Sequence, residues 1–368
     1  MDTQQGDTQY SYTQRSGSTQ HSPESGTDHS TQSETKQTVS WIDQFLSVLT
    51  LVSRIPFPHP RTYSFHRMDF FLPLTAPLSI FLFSITLFIS YRLFQDLPVA
   101  VLLALTVQYL AFNLFHFDGF VDTADAFLGS FNQEKRRAIL KDSRIGVYGL
   151  WAGCTYLGVK FLVLLNLFQH TARFAVPFDG GLAVLLSILI YPLSGRIAAA
   201  LIPGWFSGTG TSGLGSLARD SKTRYTLAGS MVSLFITLTL LSIALILVIS
   251  MVPKVIPLSI PLKAGATTWP EIGAALPFET STGFSFITGF QKKITTIFWS
   301  SCLLASQALL PVIIVIMLSS AGTALWMGSL YRRGLGGYTG DCLGAAVELG
   351  ELVYLMLLFF CFQQGFIP

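Results

Sequence analysis

The chain has 368 residues, 51% of them hydrophobic and only 12% charged, with a formal net charge of +3. A soluble domain carries about 25% charged residues, so this composition excludes an ordinary water-soluble globule and points to a membrane protein. A balance this close to neutral gives no reason to expect a nucleic-acid partner, and the location of the charges matters more than their sum.

Residues 1–40 are dominated by Gln, Ser, Thr, Gly and Asp, with almost no aliphatic side chains. Such a segment cannot bury enough surface to offset the entropy of ordering, and a disordered tail is expected. It lacks the basic start and apolar core of a secretory signal, so insertion is expected through the chain's own helices. The remainder, 41–368, reads as one helical membrane domain.

Trp41 to Arg54, WIDQFLSVLTLVSR, is too short to cross roughly 30 Å of hydrocarbon. It reads as a helix lying on the membrane surface. RIPFPHPR follows at 54–61, where three prolines force an extended turn. Seven apolar runs then have spanning length, at about 71–91, 98–115, 146–168, 181–203, 226–252, 300–330 and 350–367. The fold class expected is all-α, a polytopic helical membrane protein of about seven transmembrane helices, with a kink near Pro311 in the sixth. The 253–295 connection, rich in Pro, Gly, Ser and Thr, reads as an external insertion loop. Cys154, Cys302, Cys342 and Cys361 stand far apart without ligand spacing and read as small apolar fillers.

If each run crosses once, one side collects Arg54, Arg61, Arg67, Lys135, Arg136, Arg137, Lys141, Arg144, Arg219, Lys222, Arg224, Arg332 and Arg333. The other holds Arg92, Arg173, Lys254, Lys263, Lys292 and Lys293. The richer side is expected to be cytoplasmic. All the polar glycine-containing segments fall there too: HFDGFVDTAD, DSRIGVYG, GTGTSGLGSLARDSKTR and RRGLGGYTGD. One active site assembled from several helix ends would need such a shared face.

Asp118, Asp122 and Asp125 stand at i, i+4 and i+7, which puts three carboxylates on one stripe of a helix. Three such groups repel one another unless a cation lies between them, and a solvated acidic lip is the plainer alternative. Oxygen-only donors favour Mg²⁺ or Mn²⁺ over Zn²⁺; Asp142 is a further candidate ligand. Gly119 removes a side chain where a phosphate group could approach the backbone, and Gly146 and Gly149 invite the same reading; close helix packing explains each about as well. Arg137, Lys141 and Arg144 suit a diphosphate substrate beside the metal, though any cytoplasmic loop tends to be basic. His116 is open between base, metal ligand and polar residue at the membrane surface. Arg196, inside the fourth run, either pairs with an acid or reaches phosphate. Thr339 and Asp341 in GGYTGD offer a hydroxyl and a carboxylate next to glycine N–H groups, or a helix cap. Glu348 and Glu351 read as extending that acidic surface into the first turns of the seventh run.

The motifs HFDGFVDTAD at 116–125, KDSRIGVYG at 141–149 and LGGYTGDCLGAAVELGE at 335–351 closely resemble the cobalamin synthase family, the adenosylcobinamide-GDP ribazoletransferases. Order and spacing agree through almost everything after residue 40, with weaker echoes at LTLVSRIPFP, FFLPLTAPLS, SGR and GLGS. The family pattern often has leucine at Phe117 and Phe120 and glycine at Ala126, changes that leave the carboxylates untouched. The resemblance implies an Mg²⁺-dependent enzyme of the cell inner membrane with its site facing the cytoplasm. It would join adenosylcobinamide-GDP to α-ribazole or α-ribazole 5′-phosphate, giving adenosylcobalamin or its 5′-phosphate and releasing GMP. Membrane lipid is the other expected partner, and a homo-oligomer is left open.

Two rival classes stay in view. A CDP-alcohol phosphotransferase of phospholipid synthesis also carries a DG-led aspartate cluster, but its signature continues in a second half that is missing after Asp125. A cation-coupled transporter would place ionisable residues at the membrane midplane, on broken helices and inverted repeats.

Overall fold

Apart from one isolated bridge, every regular element among the described residues is helical. The computed structural model describes residues 39–172, 182–210, 213–255 and 310–366. The expected disordered tail, save its last two residues, and most of the 253–295 insertion lie outside that set.

Helix α1 (Trp41–Val52) is capped by the Ser40 hydroxyl, which accepts from the Ile42 N–H. It lays Val48, Leu49 and Val52 on the core and stacks Trp41 edge-on against Phe70 and Phe71. Helices α2 (Met68–Leu74) and α3 (Ala76–Phe94) form one apolar traverse, Met68–Phe94, interrupted at Thr75 between Pro73 and Pro77. Proline lacks the N–H that would continue the ladder, which explains the break. Gln95 then takes a left-handed conformation, with φ of 54°, and Asp96 caps α4 (Leu97–Gln108) by accepting from the Val99 N–H. Two residues thus suffice to turn the chain back, making α3 and α4 antiparallel neighbours.

From α4 the chain runs without a break through a π-helical turn (Tyr109–Asn113) into α5 (Leu114–Gly129). The whole traverse, Leu97–Gly129, is longer than the second apolar run predicts and carries the aspartate stripe on its last turns. A short α6 (Gln133–Ile139), capped by Asn132, leads to α7 (Val147–Ala172). The fourth run does not form one helix: it is divided into α8 (Leu182–Leu189) and α9 (Tyr191–Trp205), parted at Ile190 just ahead of Pro192. A 3₁₀ turn (Leu214–Ala218) precedes α10 (Thr223–Val255). Asp69, buried on α2, accepts from the Lys222 N–H at 2.7 Å and so ties the start of α10 to the first traverse.

Helix α11 (Leu310–Leu335) has Pro311 in its first turn, and the stretch ahead of it, on which the expected kink depends, lies outside the described residues. Helix α12 (Gly340–Gln363) begins ten residues before the seventh apolar run, because Thr339 caps it by accepting from the Cys342 N–H. Among the described residues six helices are long and apolar enough to cross a membrane; of the seven expected runs, the fourth is divided into the shorter α8 and α9.

The centre of the molecule is α12, packed along α5 and α9. These crossings are close because the interface is glycine. A Cβ on Gly119 would stand 2.7 Å from the Asp341 carbonyl oxygen, and one on Gly344 would stand 2.9 Å from that of His116. Gly195 of α9 and Gly350 of α12 face each other in the same manner. Small residues at helix contacts let backbones approach where no hydrophobic force operates between helices.

Candidate active site

The aspartates of α5 do not share one fate. Asp125 is 7% exposed, and its two carboxylate oxygens accept from the Gly146 N–H at 2.7 Å and the Gly149 N–H at 2.8 Å. It therefore caps α7, where the helix dipole favours a negative charge. Any Cβ at Gly146 or Gly149 would collide with that carboxylate, so these glycines make room for Asp125 rather than for a phosphate. Asp118 and Asp122 remain, the first exposed and the second half-buried.

Asp341 joins them from α12. Its backbone lies against Gly119, and the charges of Asp118, Asp122 and Asp341 act on one another. Gly119 thus serves close helix approach, its open face being filled by Asp341 rather than left to a ligand. The site's third free carboxylate comes from GGYTGD, not from the end of the HFDGFVDTAD stripe. Among the described residues no three His, Cys, Asp or Glu side chains converge as placed on one metal position. Mg²⁺ is typically held by one or two carboxylates and completed by water and substrate phosphate, and oxygen-only donors of which Asp341 lines a cleft fit that pattern.

The cleft opens beside Asp341 with a volume of about 460 Å³. Its walls are Arg137 and Lys141 from the basic run, Gly208, Thr209, Gly210, Gly213, Gly215 and Ser216 after α9, and Tyr338 to Asp341 at the start of α12. Two loops are stapled to form it. The Thr209 N–H donates to the Tyr338 carbonyl at 3.0 Å, and the Tyr338 N–H donates to the Ser207 carbonyl at 3.2 Å. Gly337 fits only without a side chain, because the Ser207 carbonyl fills the space. Burial pushes the Tyr338 phenol above its ordinary value, so it remains a neutral O–H. Gly336, with φ of 81°, supplies the left-handed turn before it.

The remaining expected site residues fall in different places. Arg137 donates to the Leu335 carbonyl at 2.5 Å, closing the end of α11 while lining the cleft. Lys141 is exposed on the cleft wall. Arg144 and Asp142 bind each other at 2.6 Å in the open, away from the cleft lining. The Arg144 guanidinium holds the Asp142 carboxyl down at about 2. His116 is 2% exposed and faces a small apolar cavity with Leu72, Leu343 and Val347; its Nδ1 has no hydrogen-bond partner. It does not line the cleft.

Arg196 is fully buried and pairs with Glu351 at 3.1 Å, also donating to the Pro192 carbonyl and the Thr75 hydroxyl. Glu348 and Glu351 are likewise fully buried, not part of an acidic surface. Lys160, which sequence reasoning passed over, meets Glu351 at 2.5 Å and Glu348 at 3.5 Å. A single lysine in an otherwise apolar run was the signal available, since a charge placed there is costly and seldom idle.

The sequence matches the model of a family described as cobalamin-5-phosphate synthase over residues 44–268 and 263–359. The chain belongs to the cobalamin-5-phosphate synthase family. Relatives named adenosylcobinamide-GDP ribazoletransferase include one from Vibrio cholerae, 29% identical over 325 residues, 87% of this chain and 94% of the relative. One from Fusobacterium nucleatum is 24% identical, covering 85% of this chain and 95% of its own. A third, from Shewanella amazonensis, is 34% identical over 164 residues, 44% of this chain and 60% of the relative. No solved structure matches the chain. Membership makes this a transferase family of cobalamin biosynthesis with membrane helices, and the matched span takes in the aspartates of α5, the basic run and the loop before α12.

Proposed function

We propose that the protein is an adenosylcobinamide-GDP ribazoletransferase, joining its corrinoid substrate to α-ribazole or α-ribazole 5′-phosphate with release of GMP. The observation that carries this reading is the cleft: a basic wall, two stapled glycine-rich loops and Asp341 line it, with Asp118 near enough for its charge to act on Asp341. Arg137, Lys141 and the loop N–H groups suit the diphosphate, neutralising charge as the ribose hydroxyl attacks the phosphorus that carries cobinamide. Asp118, Asp122 and Asp341 would hold Mg²⁺. When bound, the ion supplies Lewis-acid stabilisation of the phosphoryl oxygens. The chain's own part is positioning, since phosphoryl transfer needs alignment and charge more than covalent help.

The site is read as facing the cytoplasm of an inner membrane, on the weight of the basic loops around it. Incubating detergent-solubilised protein with adenosylcobinamide-GDP, α-ribazole and Mg²⁺, and following GMP and cobalamin by mass spectrometry, tests the proposal. GMP that appears only when ribazole is present is the expected result, and its absence sinks the assignment.

One observation favours a second reading. Buried charges and a broken helix are features of cation-coupled transporters. Here Lys160 and Arg196 are ion-paired with Glu348 and Glu351 inside the bundle, which argues for a fixed structure. Ion uptake into proteoliposomes without GMP formation would reverse that preference.

A further inference from the structure

Between the site and the far end of the bundle lies a polar cluster that the transfer chemistry does not touch. Lys160, Arg196, Glu348 and Glu351 are all 0% exposed, two cations against two anions. Tyr109 donates to Glu348 at 2.6 Å, and the Asn113 amide donates to Glu348 at 2.9 Å and to Glu351 at 3.3 Å. The Lys160 ammonium also reaches the Tyr109 and Tyr156 hydroxyls, at 2.9 and 3.1 Å. Tyr109 and Asn113 open and close the π-helical turn. The extra residue of a π turn rotates what precedes it about the helix axis. On one side of the turn Gln108 bonds Ser79, while Tyr109 and Asn113 turn to α12.

The contacts between α5 and α12 follow one antiparallel register. Asn113 meets Glu348, His116 backs on Gly344, and Gly119 backs on Asp341. The glycine contacts are smooth and would allow α12 to slide. The ionic contacts are directional and would not, because a shift of one residue breaks several buried bonds at once.

We infer that Lys160, Arg196, Glu348 and Glu351, engaged by Asn113 and Tyr109, form a register lock that sets Asp341 opposite Asp118 and Asp122. These are positioning residues and do not touch substrate. The inference rests on reading those three aspartates as the cation-bearing site.

Two variants test it in full-length protein: Tyr109→Phe/Asn113→Leu, which removes both donors to Glu348 without changing charge, and Lys160→Met/Glu351→Gln, which removes one cation and one anion together. Mn²⁺ binding is followed by electron paramagnetic resonance, along with kcat and KM for adenosylcobinamide-GDP. Residues that orient a metal's ligands typically control about 10–100-fold of affinity or activity. Folded variants should therefore bind Mn²⁺ about 10–100-fold more weakly and lose kcat with KM little changed. A role in stability alone would lower the yield of folded protein and leave both quantities at wild-type values, and that result overturns the inference.

A second readout needs neither metal nor substrate. With native cysteines replaced by serine, nitroxides at Leu128→Cys and Phe360→Cys, exposed positions on α5 and α12, report sliding along the helix axes. The distance distribution should shift and broaden in both variants; superimposable distributions overturn the lock. If wild-type protein binds no Mn²⁺, the reading of the carboxylates fails, and this distance measurement still decides the register.

Discussion

Asp122 and Asp125 lie three residues apart on one helix, and their surroundings give them different work. Asp122 is half-buried with no hydrogen-bonding donor among the described residues beside two other carboxylates, whereas Asp125 spends both oxygens on backbone N–H groups. Asp122→Ala should lower turnover by orders of magnitude while the protein still inserts and folds, as read by GMP release and by gel filtration in detergent. Asp125→Ala should act on stability first, costing about 1–3 kcal/mol for the unmet donors and lowering the thermal midpoint. The basic residues separate in the same way. Lys141→Gln, on the cleft wall, should raise KM for the GDP substrate well above what Arg144→Gln does, because Arg144 is already held by Asp142 outside the cleft. A larger effect at Arg144 would move the phosphate site to DSRIG. Asp142 also gives a pH expectation. Its carboxyl is depressed to about 2, so the ion pair is intact above the ordinary carboxylate range and is lost only as pH falls through about 2. Activity profiles of wild type and Arg144→Gln should therefore run parallel from pH 5 to pH 9, apart from a constant factor.

At the level of helices, hydropathy made most of the architecture legible. Runs of Leu, Ile, Val and Phe announce all six spanning helices in order, the second cut short at its end and the last at its start, and the i, i+4, i+7 spacing announces the carboxylate stripe. What escaped has physical reasons. The start of α12 was placed ten residues late because GDCLGAAVELGE mixes glycine and acids, and only the Thr339 cap and the buried pairing of Glu348 and Glu351 make it helical from the beginning. The division of α8 from α9 was signalled by Pro192, which suits the first turn of a helix better than its interior. The π turn had no local signal, since its cause is the distant partner Glu348. Equally, a carboxylate at i+7 looks the same in sequence whether it faces a metal or the end of the next helix; only the placement of Gly146 and Gly149 distinguishes them.

For the molecule as a whole, the segments lining the cleft come from three separate connections brought to one end of the bundle. Their orientation is open to direct measurement. Single cysteines introduced at Lys141 and Thr209 should be labelled together by a membrane-impermeant thiol reagent only when the cytoplasmic face is accessible, and one at Gln95, in the α3–α4 turn, only from the opposite face. Labelling of Gln95 alongside the other two would refute the single-face arrangement.

The buried charges also bear on how the chain is made. Lys160 and Arg196 lie on α7 and α9, whereas their partners Glu348 and Glu351 lie on α12, which is synthesised after both. For most of translation two cations enter the bilayer with no anion to meet them, at a cost that favours retention beside the insertion machinery. Pairing of these charges therefore waits on α12: a nascent chain stopped before residue 340 should be a substrate for membrane proteolysis, and adding α12 from a separate polypeptide should rescue it.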